Sequence, residues 1–220
     1  MEIIEEFSSD STISNLSDSS FIFDSSDLNF MKKPDELIPK IQSITSILNL
    51  DCSLNIKTLS QKIKRSELSQ NNKTLLVIKS KDNNIINNLY QNGKLISIGA
   101  KSEKEAKLNC IKITKLIKKF GYEANFKDYK IQNIVANYEI NFGLNLNKLY
   151  KNICECIGLN KYCKYDKNIF PGLILYINDI NVTIFETGKI IISGAKNKKD
   201  IEKIFEEIYP LLKKFLIPYK

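Results

Sequence analysis

Short runs of alternating hydrophobic and polar residues fill much of the chain after position 36. In the second half these runs are Leu173–Ile177, Asn181–Phe185 and Lys189–Ser193. Asn-Asp and Glu-Thr-Gly, which are typical of tight turns, separate them. A period of two predicts β-strands, and the short turns predict an antiparallel meander. The corresponding runs of the first half are Thr74–Ile78, Ile85–Tyr90 and Lys94–Ile98.

Each meander is followed by a segment with the 3.6-residue period of a long amphipathic helix. Ser102 and Glu105 form a capping box that predicts where the first helix begins, and Gly121 suits its end. Asn197 is the predicted N-cap of the second helix. The apolar stripe of the first helix is Ala106, Cys110, Ile113, Ile117 and Phe120. That of the second is Ile201, Ile204, Phe205, Ile208, Leu211, Leu212 and Phe215.

A long strand and a shorter helix precede each meander. The predicted strands are Ile38–Leu50 and Lys130–Ile140, and the predicted helices are Ile56–Glu67 and Leu146–Cys156. The fold class is therefore α+β, with one antiparallel sheet. Because each long helix has a single apolar side, both helices must cover the same face of the sheet. The other face is left for solvent or a ligand, although several of its predicted positions are apolar.

Two pairs of similar segments indicate an internal duplication. Tyr90–Lys101 matches Phe185–Lys196 at a spacing of 95 residues, and Lys40–Thr45 matches Lys130–Val135 at a spacing of 90. Landmarks in the same order at nearly the same spacing favour two pseudo-symmetric halves, and the period is too long for a solenoid. We predict a first repeat over residues 36–125 and a second over 126–220, after an N-terminal tail of residues 1–33.

The net charge of +8 conceals a split between the tail and the rest of the chain. Residues 1–31 hold seven acidic residues and no Lys or Arg, which leaves the remainder at +15. A basic globular part favours a polyanionic partner, most simply nucleic acid. An abundance of Lys, Asn and Ile with a single Arg also fits the compositional bias of A·T-rich coding DNA.

The acidic tail is rich in Ser, Asp and Asn, and this composition predicts disorder. Three readings of it stay open. It is a solvated tail with no specific role, a short docking motif around Phe21, Phe23 and Phe30, or a segment that competes with DNA for the basic face.

Enzyme chemistry finds little support in the sequence. The absence of histidine excludes His-based acid–base catalysis and His metal ligands. Cys154, Cys156 and Cys163 match no common zinc spacing, and Gly93-Lys94 and Gly188-Lys189 are hairpin turns without the phosphate-binding loop pattern. We therefore predict a protein that is not an enzyme and has no metal or cofactor.

Two further features bear on the location of the protein. Five cysteines, an odd number, without a secretory signal favour reduced thiols inside the cell. No apolar run reaches the roughly 20 residues of a membrane span, so no membrane partner is expected. These features predict an intracellular protein, and the nucleus and the viral factory of a large DNA virus both stay open as its compartment.

Several motifs, in this order, resemble the TATA-box-binding protein family. They are Gly93–Glu103 and Phe120–Asp128 in the first half, and Lys130–Val135, Phe170–Ile174, Gly188–Lys196 and Ile208–Leu212 in the second. The resemblance extends from about Glu36 to the C-terminus. It implies a saddle with helices on its convex side and a concave sheet that enters the minor groove of A·T-rich DNA. This family is itself the standard example of side chains that wedge between base steps and kink the duplex.

The second half follows the family pattern closely. The resemblance implies that Phe170 and Phe185 are a pair of wedges, and that Asn133 donates its amide to groove acceptors near the centre of the site. The other second-half positions implied to contact DNA are Gln132, Val135, Pro171, Thr183, Lys189, Ile191, Ser193 and Lys196.

The first half departs from this pattern. Ser43 stands where a central Asn is expected, Thr45 replaces a Val, and Ile98 replaces a hydroxyl residue. Tyr90 replaces one wedge or is simply a strand-end aromatic, and Thr74 aligns with the other wedge. The remaining first-half positions implied to contact DNA are Gln42, Leu75 (aligned with Pro171), Lys94, Ile96 and Lys101. We predict that this half has relaxed sequence requirements.

Three functions follow from these observations. The first is a general transcription initiation factor that bends A·T-rich promoter DNA and recruits a transcription factor IIB-like partner and RNA polymerase, with Lys164–Ile169 as the partner loop. The second is an interaction module of the same fold that has lost specific promoter recognition. The third is an accessory nucleic-acid-binding domain of an enzyme.

Overall fold

A computed structural model of the chain describes residues 37–71, 74–80, 84–156 (without the Cys156 side chain) and 163–217, so the predicted disordered tail lies outside the described residues. The strands are β1 (Lys40–Asn49), β2 (Ser66–Leu68), β3 (Leu75–Lys79), β4 (Ile86–Tyr90), β5 (Lys94–Ala100), β6 (Lys127–Glu139), β7 (Gly143–Leu144), β8 (Cys163–Asp166), β9 (Phe170–Ile177), β10 (Ile180–Phe185), β11 (Lys189–Ala195) and β12 (Leu216–Ile217). The helices are α1 (Ile56–Lys62), α2 (Glu103–Lys119), α3 (Leu146–Cys156) and α4 (Lys198–Lys213). None of the described helices is long and apolar enough to cross a membrane.

Ten of the strands form one antiparallel sheet in the order β2-β3-β4-β5-β1-β6-β11-β10-β9-β8. Outward from the central pair, β5, β4, β3 and β2 on one side correspond to β11, β10, β9 and β8 on the other. The seam has the same symmetry, because Ser43 pairs with Val135 and Thr45 pairs with Asn133. The predicted α+β class with one large antiparallel sheet is confirmed.

The long helices cover only one face of this sheet. In β1 the buried residues Ile44, Ser46 and Leu48 alternate with half-buried Thr45 and Ile47. The buried apolar residues of α2 and α4 belong to the same two cores as the buried strand residues. Full burial of one Ile or Leu side chain contributes about 1.5–3 kcal/mol, so this pattern fixes which face each strand turns inward. We call the helix-free side the open face.

The predicted helix starts are confirmed at both caps. The Ser102 hydroxyl accepts a hydrogen bond from the backbone N–H of Glu105 at 3.2 Å. The side-chain oxygen of Asn197 accepts one from the N–H of Asp200 at 2.9 Å. Each cap supplies an acceptor for a backbone donor that the first helical turn leaves unpaired, so the long helices begin where the sequence predicts.

The two cores differ in polarity. Between the first-half sheet and α2, the side-chain nitrogen of Asn109 donates to the Asn87 oxygen at 2.6 Å and to the Ser97 hydroxyl at 2.8 Å, and all three residues are buried. The residues 95 positions later are Val182, Ile192 and Ile204, which are buried too. A hydrogen-bonded cluster in one half thus takes the place of apolar packing in the other.

One predicted helix is too long. We predicted Ile56–Glu67, but α1 ends at Lys62, the chain turns at Arg65 with φ of 60°, and Glu67 lies in edge strand β2. As a strand, β2 forms backbone hydrogen bonds with β3. If these residues were helical instead, the outer backbone groups of β3 would lie at a sheet edge without partners. The sequence did not predict β2, β7, β8 or β12, because two to four residues are too few to display a period.

Candidate nucleic-acid interface

The open face consists of side-chain rows that run across neighbouring strands. The row of the second half, from β6 to β9, is Asn137, Ile191, Thr183 and Ile174. The row of the first half, from β1 to β3, is Ile47, Ile96, Asn88 and Val77. Neither row contains a charged side chain. The middle of the open face is therefore apolar with scattered amides and hydroxyls.

Lysines flank these rows. Lys94 and Lys189 begin β5 and β11, while Lys101 and Lys196 directly follow the same strands, and all four are exposed. The Lys101 ammonium group donates to the backbone carbonyl of Gln42 at the seam. Cations around an uncharged centre suit a polyanion that carries its charge at its edges.

Asn133 is held by a hydrogen bond between two strands. Its side-chain oxygen accepts from the backbone N–H of Gly194 at 2.7 Å. Gly194 has φ of +105°, and a Cβ there would stand 2.6 Å from the backbone oxygen of Asp179, so only glycine fits. With its oxygen engaged, Asn133 presents its NH2 group as a donor. Its first-half counterpart, Ser43, carries no amide.

Two residues of the predicted site lie at β-bulges in the seam. The pairing shifts by one residue at Gln42 in β1 and at Gln132 in β6. The Gln42 amide donates across the seam to the side-chain oxygen of Asn137. Bulges increase the local twist of paired strands, and here they lie in symmetric positions on either side of the centre.

Phe170 and Phe185 form an aromatic pair at the end of the open face. Their ring centroids are 5.9 Å apart with the planes at 66°, an edge-to-face arrangement, and Phe170 is 40% exposed. Gly172 pairs with Phe185 in the sheet. A Cβ on Gly172 would stand 2.7 Å from Phe170 and 3.2 Å from Phe185. The glycine therefore provides the space that both rings occupy.

The strand register corrects the alignment of the first half. Tyr90 pairs with Leu75 as Phe185 pairs with Gly172, so Leu75 corresponds to Gly172 and not to Pro171. Thr74 then corresponds to Pro171, and the counterpart of Phe170 is residue 73, which lies outside the described residues. Alternation turns Thr74 and Pro171 away from the Phe170 side of their strands. The alignment was wrong by one residue because no motif marks the start of β3.

The other predicted residues of the site lie together. The open face includes Ser43, Thr45, Tyr90, Ile96, Ile98, Asn133, Val135, Thr183, Phe185, Ile191 and Ser193, all of them half-buried. Sequence reasoning missed Ile47, Val77, Asn137, Ile174 and Tyr176, which share this face. Alternation continued along each strand beyond the recognised motifs would have found them. Tyr176 is 38% exposed, and the Lys164 nitrogen lies 5.5 Å from its ring centre.

Among the described residues, no three Cys, Asp or Glu side chains lie close enough together to hold a metal ion. The described cysteine thiols therefore form no metal site with their neighbours there. The predicted absence of a metal stays a prediction, since the Cys156 side chain is among those not described. Burial raises the pKa of Cys163 to about 12 and also raises the pKa of Cys110. Both thiols are therefore protonated at neutral pH.

Comparison with known proteins relates both halves of the chain to one family. The family model described as "Transcription factor TFIID (or TATA-binding protein, TBP)" matches residues 38–120 and 128–215. The chain is 33% identical over 192 residues to the TATA-box-binding protein of Acanthamoeba castellanii, covering 86% of this chain and 72% of that protein. It is 32% identical over 190 residues to TATA-box-binding protein 2 of Arabidopsis thaliana, covering 86% and 92% respectively. The solved structure of Methanococcus jannaschii TBP is similar with a TM-score of 0.69 and 24% identity over 80% of this chain and 98% of that one, a likeness of fold.

Proposed function

Because the chain belongs to the TATA-box-binding protein family of general transcription initiation factors, we propose that its open face binds A·T-rich promoter DNA in the minor groove and bends it. The observation that carries this proposal is the Phe170–Phe185 pair. The two rings lie over Gly172 at the end of an apolar sheet face that no described helix covers. Such rings are suited to enter between base steps from the minor groove.

The chemistry of the face favours A·T over G·C pairs. In the minor groove an A·T pair presents only acceptors, whereas a G·C pair adds the guanine amino donor. Asn133 offers a donor to the A·T acceptors, and Val135 and Ile191 offer no acceptor to guanine. An amino group buried against these side chains without a partner costs about 1–3 kcal/mol. Lys94, Lys189 and the other flanking lysines supply phosphate contacts that carry no sequence information.

The two halves are expected to bend DNA unequally. Unstacking one base step costs a few kcal/mol, which inserted aromatic surface must offset. The second half offers two phenyl rings for this purpose. In the first half, Tyr90 faces Leu75, whose side chain occupies the position that glycine leaves open in the other half. We expect a sharper kink at the end of the duplex that contacts Phe170 and Phe185.

Three duplexes of one length test this proposal. One carries an A·T-rich site, the second has every A·T pair of the site replaced by inosine·cytosine, and the third by G·C. Inosine lacks the guanine amino group, so an inosine·cytosine pair resembles A·T in the minor groove and G·C in the major groove. We expect similar affinity for the first two and at least about tenfold weaker binding to the third, corresponding to one or more discriminating contacts of about 1–3 kcal/mol. Equal binding to all three that salt abolishes would contradict the proposal.

A second candidate is an interaction module of the same fold with relaxed or lost sequence specificity. The first half favours it, because Ser43, Thr45 and Ile98 replace the groove-contacting residue types expected at those positions. The same three duplexes separate the two functions, since lost specificity predicts no preference between A·T and G·C, and relaxed specificity predicts a preference well below tenfold.

The protein partners belong to the general transcription machinery. The finer proposal is that a transcription factor IIB-like protein contacts Lys164–Ile169. The sequence predicted a loop there, but Lys164–Asp166 belongs to β8, so only the turn 167–169 is a loop. Ile169 is 83% exposed beside the aromatic pair, and the Lys167 ammonium lies 2.9 Å from the Glu186 carboxylate. An exposed apolar residue on a loop anchored by an ion pair suits a docking point.

Three further proposals concern enzyme activity, location in the cell and the bounds of the two repeats. Membership in a family of DNA-binding transcription factors supports a protein that is not an enzyme. We propose the nucleus as its location, and the relatives named above lend no support to a viral factory. The two separate matches of the family model support repeats over residues 36–125 and 126–220.

A further inference from the structure

We propose that the acidic N-terminal segment, residues 1–36, binds the open face of the same molecule and competes with DNA for it. The contact between segment and face stands on its own, and only the competition depends on the proposed function. Attachment point, reach and chemistry each support the contact.

The segment joins the fold at the border of the open face. Leu37, the first described residue, packs against the second-half core, and β1 then begins at Lys40, which pairs with Asn137. Leu37, Lys40 and Asn137, together with Ile38, Tyr138, Glu139 and Asn141, line a depression of about 380 Å³. Asn137 also pairs with Ile191 in the open-face row. The residues before Leu37 therefore attach beside the open face.

The segment is long enough to reach any part of this face. A chain of 36 residues spans at most roughly 120 Å when fully extended. Ten strands at about 4.8 Å spacing extend over roughly 43 Å. Attachment to the same molecule gives the segment an effective concentration on the order of millimolar, so weak contacts suffice to keep it bound.

The charges of the segment and of the face are complementary. Residues 1–36 carry nine acidic residues and two lysines, Lys32 and Lys33, and the first 31 residues hold seven of the acidic ones and no basic residue. Besides Lys101, whose ammonium group donates to the Gln42 carbonyl, the exposed lysines around the open face include Lys40, Lys94, Lys130, Lys164, Lys189 and Lys196. None of them forms an ion pair with an acidic residue of the described chain. These ammonium groups are available to the carboxylates of the segment.

Apolar matching favours the open face over the helical side. The segment carries Phe21, Phe23 and Phe30 among its acidic residues, and the middle of the open face is apolar. Helix α2 has many lysines too. Of the large apolar residues that are exposed in the described chain, however, only Leu108 belongs to α2, and its exposed fraction is 48%. It offers charge without a surface for three phenyl rings. The segment thus offers the open face an anionic and partly aromatic ligand, the two properties that DNA presents to it.

The test uses the full chain and three variants of the segment. The charge variant replaces Glu2, Glu5 and Glu6 by Gln and Asp10, Asp18, Asp24 and Asp27 by Asn. The aromatic variant replaces Phe21, Phe23 and Phe30 by Ser and keeps every charge. The control replaces Ser8, Ser9 and Ser11 by Asn.

The first measurement needs no DNA. Carbodiimide joins carboxylates directly to neighbouring lysines, and mass spectrometry locates the products. We expect links from the carboxylates of residues 1–31 to Lys94 and Lys189 in the wild type and the control, and clearly fewer in the aromatic variant. Links from Asp35 or Glu36 to Lys40 join chain neighbours and are not counted. Links confined to the lysines of α2, or unchanged in the aromatic variant, would overturn the proposal. This result stands even when no form of the chain binds DNA, in which case only the proposed function fails.

The second measurement is the Kd for one A·T-rich duplex at a fixed low salt concentration. We expect binding about tenfold tighter for the charge variant and about threefold tighter for the aromatic variant, since release of a tethered competitor raises apparent affinity. The control should bind like the wild type. If only the charge variant bound DNA more tightly, the higher net charge of that variant would explain the change, and the proposal would be overturned.

Discussion

The side-chain oxygen of Asn133 accepts a hydrogen bond from the backbone N–H of Gly194 at 2.7 Å. This contact joins β6 to β11 and fixes the amide before any ligand arrives. A donor held in its binding orientation loses little conformational entropy on binding. Asn133 is therefore the polar group of the open face whose substitution gives the clearest test of groove recognition.

We expect Asn133→Asp to weaken binding to A·T-rich DNA by at least about tenfold, since a groove contact of this kind contributes about 1–3 kcal/mol. The aspartate keeps the acceptor for Gly194 but replaces the NH2 donor by a negative charge that faces groove acceptors. Titration of a labelled duplex measures the change. Asn147→Asp on the exposed side of α3 makes the same charge change elsewhere, and an equal loss in both variants would refute a specific role.

Ser43→Asn should strengthen binding several-fold. Ser43 is the first-half counterpart of Asn133, and Gly99 with φ of +113° is the counterpart of Gly194. The new oxygen can accept from the Gly99 N–H, which sets a second amide donor toward the groove. Competition between duplexes that differ in the half-site contacted by the first half measures the gain. Ser53→Asn, in the loop after β1, is the matched control, and no difference from it would count against the idea.

Gly172→Ala should reduce DNA bending. The added methyl group would stand 2.7 Å from Phe170 and 2.9 Å from Thr183, so the aromatic pair must separate. Fluorescence energy transfer between dyes at the two ends of the duplex reports the bend. Ile174→Ala changes the next residue on the same side of β9 and leaves the space under the rings unaltered. A bend equal to that of the wild type in both variants would show that the rings do not wedge.

The buried polar cluster of the first half predicts a stability pattern. Asn109→Ala leaves Asn87 and Ser97 buried without this partner, which should lower the free energy of unfolding by about 1–3 kcal/mol. The triple variant Asn87→Val, Ser97→Ile and Asn109→Ile carries the residues of the second half. We expect it to be at least as stable as the wild type in urea denaturation, because no buried polar group then lacks a partner. A triple variant less stable than Asn109→Ala would show that the two cores differ in shape as well.

Alkaline pH should destabilise the fold through Cys163. Burial, with a smaller contribution from Cys154, raises its pKa from 9.0 to about 12. Above pH 9 the unfolded chain loses a proton that the folded chain keeps, so the free energy of unfolding falls until about pH 12. The slope for one such group is about 1.4 kcal/mol per pH unit. Urea denaturation between these pH values should give a shallower loss for Cys163→Val, and an identical slope would contradict the assignment.

Alternation and duplication in the sequence were enough to predict β1, β3–β6 and β9–β11, the strands that carry most of the site, but not β8. A period of two predicts that Ile191 shares a side with Ser193, and Asn181 with Thr183 and Phe185. The structure agrees, because Asn181 pairs with Ser193 and Thr183 with Ile191 across β10 and β11. The single apolar stripe of each long helix predicted that only one sheet face is covered. These are local properties, since each follows from spacing within one segment.

Only the tertiary structure decided how the segments meet. Leu75 corresponds to Gly172 through pairing with Tyr90 in β4, and the sequence alone placed it one residue away. The Asn109 cluster and the Gln42–Asn137 contact join residues from distant parts of the chain. The physical reason is that strand register depends on hydrogen bonds to a neighbouring strand, and a slip of one residue changes every pairing without changing the local pattern.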